Sequence, residues 1–270
     1  MKYRLVAIDL DGTLLNSKKQ IGELSLAAIR TARDRRVRIV ISTARPLYRI
    51  ARYLDLLGLT GPEELVICFN GAQVISCDGT RVRYDHPFAE ADLRELTAVG
   101  RSVGFPMFAY RGDGILASAD DPVYRERNPD AAFEVREDYD GVDWASERIY
   151  KFALVGRPDA VLTLRRGLDP ALTRKYEVSS SVPQFVDIVS RGVSKASALA
   201  RIGELWGIGP EAMIAFGDED NDIPMLQFVG MPVAMVNASP EVKAVANMVA
   251  PSNDQDGVGR ILEDLLGSPS

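Results

Sequence analysis

The chain has 270 residues, of which 46% are hydrophobic and 26% charged, with a net charge of −6 and a single histidine. That length holds two modest domains or one with a large insertion, and that composition builds a globular core without disulfide or metal staples. The acidic balance argues against a nucleic-acid binder, the lack of an apolar run near 18 residues argues against a membrane span, and His86, far in sequence from every acidic cluster, argues against a serine or cysteine hydrolase with a histidine base.

In chain order, Tyr3 to Asp9 reads as a buried strand and Leu24 to Arg36 as an amphipathic helix. Arg30, Arg33, Arg35, Arg36 and Arg38 cluster where that helix ends, and a solvated last turn suits the helix dipole. Val37 to Ile41 is a second strand, Leu47 to Leu57 a second helix closed by Gly58, and Leu65 to Phe69 a third strand. Such apolar strands separated by helices imply a parallel sheet covered on both faces. Gln73 to Ile75 and Arg81 to Tyr84 flank Asp78-Gly79, a hairpin signal. Cys68 and Cys77 adjoin apolar segments and are expected to be buried free thiols in a reducing cytoplasm; the N-terminus has no signal-peptide pattern.

The pattern then changes. Residues 85–188 read as a smaller α+β unit: helices over Ala91 to Val103 and Asp159 to Leu168, a strand over Tyr150 to Val155, and a strand pair over Tyr176 to Ser180 and Gln184 to Ile188. Tyr124 to Asp143, charged and containing Asn128-Pro129, reads as an irregular excursion. Strand and helix alternation resumes with a helix over Ala196 to Trp206 and a strand over Met213 to Phe216. After these come a helix over Asp222 to Val229, strands at Met231 to Met235 and Met248 to Ala250, helices at Pro240 to Ala246 and Val258 to Leu266, and a frayed tail, Gly267 to Ser270. The expected fold is therefore α/β: a doubly wound, mainly parallel, Rossmann-like core sheet from residues 1–84 and 189–270, with an inserted α+β cap at 85–188.

The chemistry concentrates where strands end. In Asp9-Leu10-Asp11-Gly12-Thr13, residues i and i+2 share one side, so Asp9 and Asp11 can face one site. Two such carboxylates can divide nucleophilic attack and proton transfer, or serve a hard cation. Asp and Gly are also ordinary turn residues, but a second acidic cluster, Gly217-Asp218-Glu219-Asp220-Asn221-Asp222, follows another strand. In an open parallel sheet both should converge at the carboxyl edge. Carboxylates that close need a counter-charge, and Mg²⁺ is the usual choice when a phosphate completes its shell. Ser42-Thr43-Ala44-Arg45-Pro46 stands at a third strand end, where a hydroxyl and a guanidinium can meet a phosphate. Lys195 opens a helix, a poor place for a cation in the helix dipole and therefore a candidate to neutralise Asp9 and the phosphate.

These pieces in this order resemble the haloacid dehalogenase (HAD) superfamily of phosphatases, and more narrowly its Cof-type members with a type-C2 cap. The resemblance spans nearly the whole chain and includes Asn70-Gly71-Ala72, Ala234 to Ala238 and Asn253 to Val258. Ala44 and Val236 stand where glycine is usual in the family, which bears on substrate shape. The resemblance implies that Asp9 is the nucleophile and forms an aspartyl-phosphate, and that Asp11 is acid and then base. Mg²⁺ would be held by Asp9, the backbone carbonyl of Asp11 and Asp218, with Asp222 ligating or orienting. Thr43, Lys195 and Asn221 would hold phosphoryl oxygens, with Ala44, Arg45, Asn70 and Gly71 lining the substrate site. The cap would choose the substrate, with Arg125 to Asp143 and Ser180 to Gln184 as candidate contacts. The implied protein is a cytoplasmic, Mg²⁺-dependent hydrolase of small phosphorylated metabolites, sugar phosphates first, acting as a monomer or weak homodimer without nucleic-acid or membrane partners. The alternatives are a phosphomutase of the same superfamily, phosphomannomutase-like, and a non-catalytic sensor of a phospho-ligand.

Overall fold

The computed structural model describes residues 2–128 and 132–267. In chain order its elements are β1 (Leu5–Asp9), α1 (Glu23–Asp34), β2 (Arg38–Ser42), α2 (Ala51–Leu57), β3 (Leu65–Cys68), β4 (Gln73–Ser76), β5 (Val82–Asp85), α3 (Glu90–Val103), β6 (Met107–Arg111), β7 (Gly114–Ala117), α4 (Pro122–Arg127), β8 (Glu134–Val135), β9 (Ile149–Val155), α5 (Pro158–Gly167), α6 (Pro170–Lys175), β10 (Tyr176–Ser179), β11 (Phe185–Ser190), α7 (Lys195–Trp206), β12 (Met213–Gly217), α8 (Ile223–Phe228), β13 (Met231–Met235), α9 (Pro240–Ala244), β14 (Met248–Ala250) and α10 (Gly257–Gly267). They separate into two compact units: residues up to Tyr84 together with those from Ser194 onward, and Asp85–Val193.

The first unit is built on an eight-stranded sheet in the order β14-β13-β12-β1-β2-β3-β4-β5. Its pairings from β14 to β3 are parallel, and β3 pairs antiparallel with β4. β1 is buried along its whole length, as a strand covered on both faces must be. Leu5 and Ala7 pack in one cluster with Ala198, Leu199 and Ile202 of α7. By strand alternation Asp9 leaves the sheet on that same side, toward α7. α1 turns Ser25, Ala28, Ile29 and Ala32 inward, an i, i+3, i+4, i+7 stripe, and packs against α10. β1 is flanked by β2 on one side and by β12, much later in the chain, on the other. That is a topological switch point, and ligands of such sheets bind outside the carboxyl ends there.

The second unit has a six-stranded sheet, β10-β11-β9-β6-β7-β8, antiparallel except for the β7–β8 pair. One face carries Met107, Ala109, Phe152, Leu154, Val186 and Ile188 in a core with Leu93 and Leu96 of α3. The other carries a buried ion pair, Lys151 Nζ donating to Asp187 Oδ1 at 2.8 Å, with Nζ 4.2 Å from the Tyr110 ring centre.

Several expectations need correction. Leu47 to Leu57 is not one helix: a 3₁₀ turn at Leu47–Arg49 ends on buried Ile50, whose N–H bonds back to Leu47, and α2 starts afresh at Ala51. Likewise Asp220–Asp222 is a 3₁₀ turn ahead of α8, with Pro224 in the first turn of the α-helix. The β6–β7 hairpin and α6 go beyond the expected elements. Within the excursion Tyr124 to Asp143 lie most of α4, whose start is capped by the Asp121 carboxylate accepting from Tyr124 N–H at 2.8 Å, and β8. Pro129, part of the expected turn there, lies outside the described residues. β11 runs on to Ser190, paired with Tyr176, so the second unit extends to Val193 and not to 188. Gly267 closes α10; the rest of the expected frayed tail is outside the described residues.

Candidate active site

Asp9 ends β1, Asp218 follows β12, and Asp222 closes the 3₁₀ turn after it; all three are buried and each has a ligand oxygen within 4.8 Å of the others. The lysine that opens α7 reaches into this group. Lys195 Nζ donates to Asp9 Oδ1 at 2.5 Å and to Asp222 Oδ1 at 2.6 Å, and it has no exposed surface. Asp222 Oδ2 accepts from the backbone N–H groups of Asp218 (3.0 Å) and Glu219 (3.2 Å), so both its oxygens are engaged. Asp218 Oδ1 accepts from Thr13 Oγ1 at 2.6 Å. Gly12 allows the fit: at φ +85° it turns the chain away from β1, and a Cβ there would lie 2.2 Å from Asp218 Oδ2.

Burial pushes the Asp9 carboxyl up to about 7, with the Lys195 ammonium pulling down and the Asp222 charge pushing up. Burial and then the Asp9 and Asp222 charges raise Asp218 well above the ordinary carboxylate range. Burial alone would discharge Lys195, but Asp222 and Asp9 hold it protonated and above the ordinary lysine value. Three carboxylates against one ammonium leave the cluster under-compensated, and its donors are all oxygen, so the residues present fit a hard divalent cation.

The Asp11 carboxylate stands apart from this cluster. Arg45 grips it with both arms of its guanidinium, Nε donating to Oδ2 at 2.6 Å and a terminal nitrogen to Oδ1, while Lys19 Nζ donates to Oδ1 at 2.5 Å. Burial would raise this carboxyl; Arg45 and Lys19 outweigh it and hold it at about 2. Arg45, expected on the substrate, thus rests on Asp11. The Thr43 backbone N–H bonds to Ile67 O at 2.9 Å and its hydroxyl accepts from Arg45 N–H at 3.2 Å, with Ala44 half-buried between them. Asn221 Nδ2 donates to Asn70 Oδ1 at 2.9 Å, and Asn70 Nδ2 is buried without a partner among the described residues, as is the Ser42 hydroxyl. Unpaired buried donors at this edge are costly unless an acceptor binds. Asn70 sits in a turn where Phe69, Asn70 and Gly71 all have positive φ. Gly71, expected against the substrate, instead packs on the start of α7: a Cβ on it would lie 2.1 Å from Ser194 O. It sets the helix that delivers Lys195.

Lys19 is the residue that sequence reasoning missed. It stands at φ +58° in a loop where Asn16 Oδ1 accepts from the N–H groups of Lys18 and Gln20, and Tyr53 donates to its carbonyl. Asn16 after Leu15 is the available trace of that loop, because side chains presented by turns leave no period. Asn237 and Asn253 support the motif loop from behind, donating to Gly12 O (2.9 Å) and Leu15 O (2.7 Å).

The family profile described as haloacid dehalogenase-like hydrolase matches residues 6–262. YxeH of Bacillus subtilis (strain 168) is 29% identical over 98% of both chains. The 5-amino-6-(5-phospho-D-ribitylamino)uracil phosphatase YitU of the same organism is 31% identical over 97% of both. Among solved structures, a haloacid dehalogenase-like hydrolase from Bacteroides thetaiotaomicron is 29% identical with a TM-score of 0.83, covering 98% of this chain and 100% of that one. A sheet with its acidic edge at the switch point defines the class, and the chain belongs to the haloacid dehalogenase-like hydrolases. Within that family it is a phosphatase of the Cof type.

Proposed function

We propose that the chain is a Mg²⁺-dependent, cytoplasmic phosphatase that hydrolyses small phosphomonoesters, sugar phosphates or similar metabolites, through a phosphorylated Asp9. The observation that carries this reading is the convergence of Asp9, Asp218 and Asp222 around Lys195, with Asp11 held alongside by Arg45 and Lys19. The name of the relative YitU, a phosphatase of a phosphorylated ribityl compound, supports a small metabolite as substrate.

Phosphoryl transfer demands positioning and charge neutralisation more than covalent assistance. Asp9 attacks phosphorus in line, and Lys195, bonded to its Oδ1, fixes the carboxylate and offsets charge on the phosphoryl oxygens. Arg45 and Lys19 hold Asp11 ionised, so the substrate has to draw them off and Asp11 has to take up a proton before it hands one to the departing oxygen; it then takes one from the water that hydrolyses the acyl phosphate. Asn70 Nδ2 and the Ser42 hydroxyl are donors available to phosphate, beside Thr43 and Asn221. Mg²⁺ held by Asp9, Asp218 and the carbonyl of Asp11, with Asp222 orienting, would supply electrostatic stabilisation of the transferred group.

Phosphate release from an aryl phosphate, followed by a screen of phosphorylated metabolites with Mg²⁺, tests the reading. Asp9→Asn should cut turnover by about 10⁴-fold or more with the fold intact. A near-normal rate in that variant would remove Asp9 as nucleophile, and phosphate returned to the sugar without release would favour a mutase.

A further inference from the structure

The arginines that close α1 do more than finish a helix. Arg33 is spent on structure, donating to Leu57 O at 2.8 Å and to Glu64 at 2.6 Å, and Arg35 donates to the carbonyl of Leu266. Among the described residues, the side chains of Arg30 and Arg36 make no hydrogen bond or ion pair, and Arg38 only stacks on Trp206, 4.7 Å from the ring centre. All three exposed guanidinium groups line one cavity of about 550 Å³ together with half-buried Trp206, and among the described residues Asp34 is the one carboxylate there not engaged by an arginine. Arg36 adopts φ +63°, a conformation that favours glycine or asparagine after a helix, so the backbone carries strain where this charge is presented. A solvated last turn accounts for the charge but not for its gathering around one hollow with an indole beside it.

We propose that this cavity is a second ligand site, taking a nucleoside polyphosphate whose phosphates pair with Arg30, Arg36 and Arg38 and whose base packs against the Trp206 indole. The volume lies within the range of small-molecule sites. Arginine forks suit phosphate oxygens in two-point contact, and a planar ring suits an indole wall. An overall net charge of −6 makes three uncompensated arginines in one hollow a local reversal of the protein's field. The site is separate from the acidic cluster. It lies at the amino end of β2, whereas Asp9 and Ser42 lie at the carboxyl ends of their strands, and the five residues of β2 put roughly 15 Å between the two. α7 joins them, with Lys195 at its first position and Trp206 at its last.

The test is isothermal calorimetry of EDTA-treated protein with ATP, ADP, adenosine and tripolyphosphate. Saturable ATP binding is expected, weakened about tenfold by Arg36→Asn with Arg38→Gln. Asparagine keeps the left-handed backbone at 36, and phosphate release from an aryl phosphate should be unchanged in this variant. A Trp144→Phe protein gives a second readout, because its remaining tryptophan, Trp206, should then change fluorescence on ATP addition. Three results would each overturn the proposal: no saturable binding up to about 10 mM ATP, equal affinity in the double variant, or adenosine binding as tightly as ATP. Tripolyphosphate binding as tightly as ATP would refute the place given to the base. None of these outcomes bears on Asp9 or on phosphatase activity.

Discussion

Lys195 shows what a single buried charge does when its surroundings are acidic. It is the counter-ion already supplied to Asp9 and Asp222, and its removal leaves the buried carboxylates uncompensated. Lys195→Met should cost about 3–5 kcal/mol in metal-free protein, read from denaturant midpoints. Mg²⁺ should raise the melting temperature of this variant more than that of the parent. An equal rise in both would contradict the charge account. Asp11→Asn should behave differently. It removes the acid/base group and should slow turnover about 10²–10⁴-fold. Because the carbonyl and not the carboxylate is the proposed metal contact, Mg²⁺ affinity by calorimetry should stay within about threefold; a larger loss would place the side chain on the ion. At this scale the sequence was legible where residue type and strand-end position coincide, as for Asp9 and Asp218, and where a cation stands against a helix dipole, as for Lys195. It was silent on Lys19, and Gly71 was misjudged because its close neighbour, Ser194, is remote in sequence.

Elements with a period were legible, and two short helices without one, α4 and α6, were not. α1, α3, α7 and α10 each turn one stripe inward over at least three turns, and the parallel strands of the first unit are unbroken apolar runs. α4 and α6 have six residues each, too few to repeat a pattern, and their real signatures are the caps Asp121 and Asp169 followed by proline. β9 and β11 were legible although their ion pair sets a charged residue in each strand. Lys151 and Asp187 have 3% and 0% of their side chains exposed. Lys151→Met alone should destabilise by about 3–5 kcal/mol, whereas Lys151→Met with Asp187→Leu should be close to neutral or stabilising. A double-mutant cycle by chemical denaturation measures both. Equal losses in the single and double variants would mean that the pair contributes through packing and not through charge.

For the whole molecule the acidic edge makes stability depend on pH and on metal together. Asp9 has its folded pKa raised from 3.8 to about 7, and Asp218 shifts the same way. Groups raised in the folded state contribute stability that is full below 3.8 and lost as pH climbs through about 7. Asp11, lowered to about 2, works in the opposite sense, its contribution being lost as pH falls through that value. EDTA-treated protein should therefore melt at a lower temperature at about pH 8 than at about pH 6, and saturating Mg²⁺ should flatten that slope. Calorimetric scans across the range check it; a metal-free protein that gains stability over the same interval would contradict the assignment. The strand order has a further consequence for how this protein is made. β1 lies between β2 and β12, yet roughly 200 residues must leave the ribosome before β12 exists, about 10–40 s at ordinary elongation rates. Throughout that wait the nascent chain offers a greasy, unpaired backbone edge, so its birth, more than its finished state, is when a holding chaperone matters.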